Sequence, residues 1–403
     1  MQGSRRHLHS LVIACFIGAL CLPVVVGIPD LLGTGDVVSA QEKRRLHPWP
    51  DAPMTVRALR RWPGEFSLWF DDRFGLRDAL IAIHNYGKAV LGISPSQSAI
   101  LGNDGWVFIE STHLTDANRG ARPFAPGEAE RLAALFVSAQ QRLAQRGVAY
   151  VHLTPPDKQS LFREYLPARI RILGPSRYEH WRSAALDSAL NFVDVYPVLE
   201  DSIRAGETPY MRTDSHWNCY GAYLAYREIM EAINREREAA LPVLGETEVT
   251  FDLAIDPVGG DLVRNVLGTP FLFPESYAMS CPIVSPARLS YTALEDGSEL
   301  RLRDTHNATR PSLVMNHDFP DGPRALVLRD SYTNAMIPFL SHSFREVIFM
   351  TYDVRPPDEH LIDELQPNIV IYEHVERSLV RYGKVIADEG LPASDVRRVG
   401  GGR

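Results

Sequence analysis

The 403-residue chain has only four cysteines and contains no C-x-x-C or H-E-x-x-H motif, so no metal is expected despite 13 histidines. It has no excess of positive charge. The formal net charge is −8, which argues against a general nucleic-acid binder, because such proteins need basic surface to displace counterions. G-x-S-x-G is absent, as are internal repeats and low-complexity segments. The standard hydrolase elbow motif and a repeat architecture are therefore excluded. No cofactor is expected. Hydrophobic residues make up 45% of the chain and charged residues 23%, values that suit a globular protein with a packed core.

One long apolar run is present. Leu11 to Ile28 carries no charge, and its eighteen residues suffice for a helix that crosses a bilayer. Arg5 and Arg6 precede it, which predicts residues 1–10 in the cytoplasm and the body on the far side. A cleaved signal peptide is the alternative, with Val38-Ser39-Ala40 as a small-residue site. Its distance from the apolar run favours a retained anchor. Both readings export the body. Residues 29–55, with the charged run Glu42-Lys43-Arg44-Arg45, read as a linker. Cys219 and Cys281 lie in the body, and in an oxidising compartment they either pair or stay free.

From residue 56 onward the pattern is that of an α/β protein. Phe66, Trp69, Phe70 and Phe74 recur at helical spacing and read as a packed helix face. Asn103-Asp104-Gly105 is a turn signal inside a hairpin. Glu128 to Gly147 is an amphipathic helix ended by glycine. VAYVHLT (148–154), LNFVDVY (190–196), RALVLRD (324–330), EVIFMTY (346–352) and NIVIYEH (368–374) are strand candidates. Their apolar runs fit a mainly parallel sheet buried on both faces, with helices between the strands. Residues 240–320 are rich in Pro and Gly and read as an irregular insertion or a set of short strands.

In open α/β sheets, sites form at the carboxyl ends of strands. Asp157 and Lys158, Arg329-Asp330-Ser331, and Glu373-His374 occupy such positions. Ser331 stands at a strand-to-helix turn, where it is either a nucleophile near helix amides or, with Asp330, a helix cap. MRTDSHWNCYG (211–221) supplies what a serine nucleophile needs. His216 is a candidate base, and Asp214 a candidate orienter that fixes its tautomer. Lys158, Trp217, Arg329 and Asn334 are candidate substrate-binding residues, although a packing role suits Trp217 and a role in the turn suits Asn334. Glu373 and Arg377 read as a structural ion pair and His152 as a satisfied core histidine. Asn307-Ala308-Thr309 fits a glycosylation sequon.

The stretches DDRFGLRDALI, ILGNDGWVF, TPPDKQSLFREYLP, TDSHWNCYGAYLAY, GGDLVRNVLG, RDSYTNAMIPFLSHSF and PNIVIYEHVERSL run in one order over about 60–380. In that order the chain resembles the alginate O-acetyltransferases of the SGNH-hydrolase-like type, the AlgJ and AlgX group. Its N-terminal layout is similar to the membrane-anchored AlgJ type. The resemblance implies an SGNH-hydrolase-like three-layer domain over 56–403. It also implies a periplasmic enzyme, held at the inner membrane, that acetylates a polysaccharide. Asp214, His216 and Ser331 match the family's catalytic positions. A membrane-bound O-acyltransferase is the implied acetyl supplier. Arg329 stands where the family often has glycine. Two further readings are a carbohydrate acetylesterase with the same residues and a noncatalytic polysaccharide-binding scaffold of an export complex.

Overall fold

The computed structural model describes residues 45–382, apart from 74–76, 112, 236, 238–239 and 308–309, together with 12–14, 16–18 and 21–22. Most of the anchor expected at 11–28 therefore lies outside the described residues. Among the described residues no helix is long and apolar enough to cross a membrane. Phe74 and most of the sequon at 307–309 also lie outside them. The chain divides into two compact units, residues 1–95 with 267–269, and residues 96–266 with 270–403. The body read from residue 56 thus begins with a stretch that groups with the first unit.

The first unit contains α1 (Val56–Asp72) and α2 (Arg77–Val90). The Thr55 hydroxyl accepts from the Ala58 amide at 3.1 Å and caps α1. Trp69 is the buried residue of the aromatic face and meets the Trp49 ring edge-on at 4.4 Å.

The second unit opens with a short hairpin, β1 (Ala99–Leu101) and β2 (Val107–Ile109). Asp104 and Gly105 turn between them at φ 53° and 77°, a conformation that Asn, Asp and Gly tolerate best. The main sheet uses β3 (Ala149–Leu153), β4 (Phe192–Val193), β7 (Leu289–Ala293), β8 (Ser312–Asn316), β9 (Arg324–Arg329), β10 (Glu346–Thr351) and β11 (Ile369–Glu373); β5 (Asp252–Asp256) and β6 (Glu275–Ser280) form a separate ribbon. Strand order is β4-β3-β11-β9-β10-β8-β7. The strands from β4 to β10 pair in parallel, and β8 and β7 add antiparallel pairs. The sheet is therefore mixed, and the segment read as an irregular insertion or a set of short strands supplies its antiparallel edge. The burial of β8 alternates, with Ser312, Val314 and Asn316 inside and Leu313 and Met315 more exposed, so it lacks the cover on both faces that marks a central parallel strand.

Side chains alternate between two cores, as a period of two requires. Ala325, Val327, Val347, Phe349, Ile369 and Ile371 pack on one face with α5 (Cys219–Arg235) and α6 (Ile337–Ser343). Leu326, Leu328, Ile348, Val370 and Tyr372 pack on the other with α3 (Glu128–Gln145) and α4 (Arg177–Leu186). This is a three-layer α/β sandwich. Each aliphatic side chain taken fully out of water contributes about 1.5–3 kcal/mol. His152 is fully buried on β3; its Nδ1 lies 3.0 Å from the Tyr150 hydroxyl, while Nε2 has no partner. Burial, and to a lesser degree His374, lowers its pKa well below the usual value, so the ring stays neutral. Leu326→Ala would open a cavity in the central strand and is expected to cost about 2–5 kcal/mol. Urea unfolding should register this as a lower midpoint at constant slope.

Candidate active site

The parallel strands β3, β11 and β9 are neighbours, so their carboxyl ends lie side by side. A loop from Met211 to Trp217 faces them, and several buried groups shape it. Lys158, just past β3, is 1% exposed. Its Nζ donates to the carbonyls of Met211, Arg212 and Asp214 at 3.0, 2.9 and 2.6 Å. The Glu275 carboxylate, buried at the start of β6, accepts from the Arg212 and Thr213 amides and the Thr213 hydroxyl at 2.9, 2.6 and 2.6 Å. Two reciprocal hydrogen bonds tie the loop to the turn after β9. Trp217 Nε1 donates to the Tyr332 carbonyl at 2.9 Å, and the Tyr332 hydroxyl donates to the Ser215 carbonyl at 2.8 Å.

These supports bring three side chains into line. His216 Nδ1 lies 2.7 Å from Asp214 Oδ1, and Nε2 lies 2.7 Å from Ser331 Oγ. The other Asp214 oxygen accepts from the Asp261 amide at 2.7 Å. With a carboxylate on Nδ1, the neutral ring carries its proton there and offers a lone pair to the hydroxyl. Burial pushes the Asp214 carboxyl up, but the bond and charge of His216 and the Asp261 amide outweigh it, so its pKa falls to about 2. Ser331 itself is exposed. The site thus joins an open hydroxyl, a base and an orienter that is ionised at neutral pH. That arrangement can activate a serine for acyl transfer.

Ser331 does not begin a long helix. It opens a 3-10 turn, Ser331–Ala335, and α6 starts only at Ile337, with a proline in its first turn. The Asp330 side chain accepts from the Tyr332 and Val375 amides at 2.9 and 2.8 Å, so Asp330 is a cap and staple. The candidate substrate-binding residues also need correction. Lys158 is neither solvated nor turned toward a ligand, because its ammonium is spent on the loop carbonyls. Burial, the larger effect, lowers its pKa to about 8 against the opposing charges of Glu275, Asp214 and Asp261. Trp217 is buried behind the loop, which excludes stacking on an exposed ring. Arg329 is buried and donates to Asn334 Oδ1 at 2.7 Å and the Thr305 carbonyl at 2.6 Å. Asn334 remains half-buried with its amide oriented by that bond. Glu373 and Arg377 do not pair. Glu373 accepts from the Thr333 hydroxyl at 2.7 Å, while Arg377 meets Asp157 at 2.7 Å.

The sequence alone gives no role to Gly260, Asp261 or Glu275, and offers Ser215 only as a helix cap. GGD at 259–261 was the available signal. A Cβ on Gly260 would lie 2.5 Å from the Asp214 amide nitrogen, so only glycine allows this approach. Cys219 and Cys281 form a disulfide that joins the start of α5 to the residue after β6. It closes a loop with a sequence separation of 62. Replacing both cysteines by alanine is expected to cost about 4 kcal/mol on the loop-entropy argument, read as a loss in urea midpoint. Asp214 predicts an acid effect. Its folded value of about 2 lies below an unfolded value of about 3.9, so its contribution is complete above about pH 4 and disappears as pH falls through about 2. Stability of the Asp214→Asn variant, measured by urea melts across that window, should fall less steeply than that of the parent.

Residues 99–279 match the family described as SGNH hydrolase-like domain, acetyltransferase AlgX. That stretch contains Asp214, His216 and Asp261, whereas Ser331 lies beyond it. A probable alginate O-acetylase AlgJ of Azotobacter vinelandii is 30% identical over 146 residues, 35% of this chain and 36% of that protein. The probable alginate O-acetylase AlgJ of Pseudomonas syringae pv. tomato is 23% identical over 263 residues, 64% of this chain and 60% of that one. The chain thus spans 36% to 60% of the length of these relatives. Among solved structures, Bacillus cereus PatB1 is similar in fold, with a TM-score of 0.53 at 17% identity, over 70% of this chain and 97% of that one. Over residues 99–279 the chain is therefore similar to the SGNH hydrolase-like domain of acetyltransferase AlgX, set in a three-layer α/β fold.

Proposed function

We propose that this protein is an O-acetyltransferase that passes an acetyl group through Ser331 to a hydroxyl of an exported polysaccharide. The observation that carries the reading is the 2.7 Å contact between His216 Nε2 and the exposed Ser331 Oγ, with Asp214 on the opposite ring nitrogen. The similarity of residues 99–279 to an acetyltransferase domain supports the acetyl group. Relatives named alginate O-acetylase support a polysaccharide acceptor.

In the first step His216 Nε2 takes the Ser331 proton while Oγ bonds to the acetyl carbonyl carbon. The tetrahedral intermediate collapses, the donor's leaving group departs with the proton from His216, and acetyl-serine remains. A sugar hydroxyl then gives its proton to His216 and attacks the ester. Its collapse returns the proton to Ser331 Oγ and releases the acetylated sugar. The Tyr332 amide is spent on Asp330, and the Asp330 amide on Glu373 at 3.2 Å. We assign the oxyanion to the Ser331 amide and to the Asn334 side-chain amide that Arg329 orients.

The same reading places the protein in the periplasm, with residues 11–28 as an inner-membrane anchor and a membrane-bound O-acyltransferase as acetyl supplier. The anchor rests on the apolar run at 11–28, and the compartment and the acetyl supplier rest on the family resemblance.

The test uses the purified 403-residue chain with 4-nitrophenyl acetate, with intact mass read during turnover. A single acetyl adduct is expected, with ester turnover reduced about a thousand-fold or more in Ser331→Ala. Asn334→Ala is expected to lower kcat about a hundred-fold. Added oligosaccharide should take up the acetyl group. An adduct that only water discharges would make the protein an esterase, and Ser331-independent turnover would overturn the reading.

A further inference from the structure

Asp261 meets His216 from an element that the sequence reading left without a role, and this inference rests on the acyl-transfer reading above. Residue 261 touches the Asp214-Ser215-His216 segment at several points. Its amide donates to Asp214 Oδ2 at 2.7 Å. Its Oδ1 accepts from the Ser215 amide at 2.6 Å, and its Oδ2 accepts from the Ser215 hydroxyl at 2.7 Å. Ser215 Oγ in turn lies 3.2 Å from His216 Nδ1, and Asp261 Oδ2 lies 3.7 Å from the same nitrogen. Gly260 makes this possible, since its amide donates to Thr213 Oγ1 at 2.8 Å and it has no side chain to strike the loop.

We propose that Asp261 is a positioning residue of the acyl-transfer site: through Ser215 it forms a second carboxylate arm on His216 Nδ1, holds the ring toward Ser331, and supports the imidazolium formed when Ser331 gives up its proton. One N–H can serve only one strong acceptor at a time. Asp214 takes that bond at 2.7 Å. Asp261 therefore acts through its charge and through Ser215, whose hydroxyl proton it fixes away from the ring. Burial and the neighbouring Asp214 charge raise the Asp261 carboxyl above the usual range. This is what two carboxylates beside one imidazole should produce.

The other charged and titratable groups around the ring are accounted for. Asp214 and Ser215 share its loop. Ser331 and Tyr332 belong to the turn after β9, with the Tyr332 ring 5.2 Å from the imidazole. Asp157, beyond β3, is held by Arg377, whose guanidinium lies over Tyr332. Lys158 sits behind the loop on the Asp214 carbonyl. Among these, Asp261 approaches Nδ1 without a countercharge of its own in contact with its carboxylate.

A simple loop staple and a charge acting on the ring differ in one respect. Asparagine at 261 can keep the Ser215 amide bond through its amide oxygen, turns an NH2 toward the Ser215 hydroxyl in place of the second acceptor, and carries no charge. The experiment measures ester turnover against pH for the parent chain, Asp261→Asn, Asp261→Glu and Ser215→Ala, together with an NMR titration of the His216 ring nitrogens. In Asp261→Asn the acid limb of kcat/KM and the ring titration are expected to move down by about one pH unit. In that variant kcat should also fall about ten-fold with KM held. Asp261→Glu should restore both midpoints. Ser215→Ala should lower kcat about three-fold at constant KM, and it decides the matter if the asparagine variant does not fold. Unshifted midpoints in Asp261→Asn, or unchanged kcat in Ser215→Ala, would overturn the proposal. If the parent chain forms no Ser331-dependent acyl-enzyme, the acyl-transfer reading fails separately, and the NMR titration still decides whether Asp261 acts on His216.

Discussion

The ammonium group of Lys158 is taken wholly out of water and finds its acceptors on the backbone of a single loop. A buried cation without partners is costly, so the loop must turn its carbonyls inward around Nζ. Three of them do, at Met211, Arg212 and Asp214. That curvature points the Asp214 and His216 side chains the other way, toward the end of β9. Glu275 then satisfies the amides that the same bend leaves free. The acid–base pair is in this sense the outer surface of a knot of buried polar groups. Their mutual satisfaction, more than any hydrophobic contact, sets where the imidazole stands.

The reciprocal bonds between Trp217 and the Tyr332 carbonyl, and between Tyr332 and the Ser215 carbonyl, extend this order to the nucleophile. Both aromatic side chains are fully buried, so each polar atom needs a partner inside the protein. Each finds it on the other segment. The distance from His216 to Ser331 is therefore fixed from beneath by a rigid pair of rings, and neither reacting group has to supply that rigidity.

The parallel strands were legible because both faces are covered: Ala325 to Leu328 and Ile369 to Tyr372 are apolar at every position. β7 and β8 were legible only as part of an irregular insertion or a set of short strands, since they are short and the segment around them is rich in Gly and Pro. Asp214, His216 and Ser331 stand out because an acid two residues before a histidine, and a serine at a strand end, are unusual in loops that only connect. The binding roles considered for Lys158 and Arg329 were misjudged for a shared physical reason, whereas the packing role preferred for Trp217 agrees with its burial. A long polar side chain at a strand end looks exposed when only its neighbours in sequence are known. What buries each one comes from far along the chain, as Thr305 does for Arg329. Asp261 was invisible for the same reason, since its importance lies in a contact with a segment 46 residues earlier.

Placing Ser331 at the head of a five-residue 3-10 turn has an electrostatic consequence. A long α-helix would project the summed dipole of many peptide units onto the serine, a broad field that tolerates small displacements. A single turn has few aligned peptides and projects little. Negative charge that develops beside Ser331 must then be met by individual N–H groups at contact distance, where attraction falls steeply with separation. Such a centre gains little from the general polarity of the fold and depends on the sub-ångström placement of a few donors. The stiffness of the buried framework beneath it is therefore a kinetic requirement as well as a structural one.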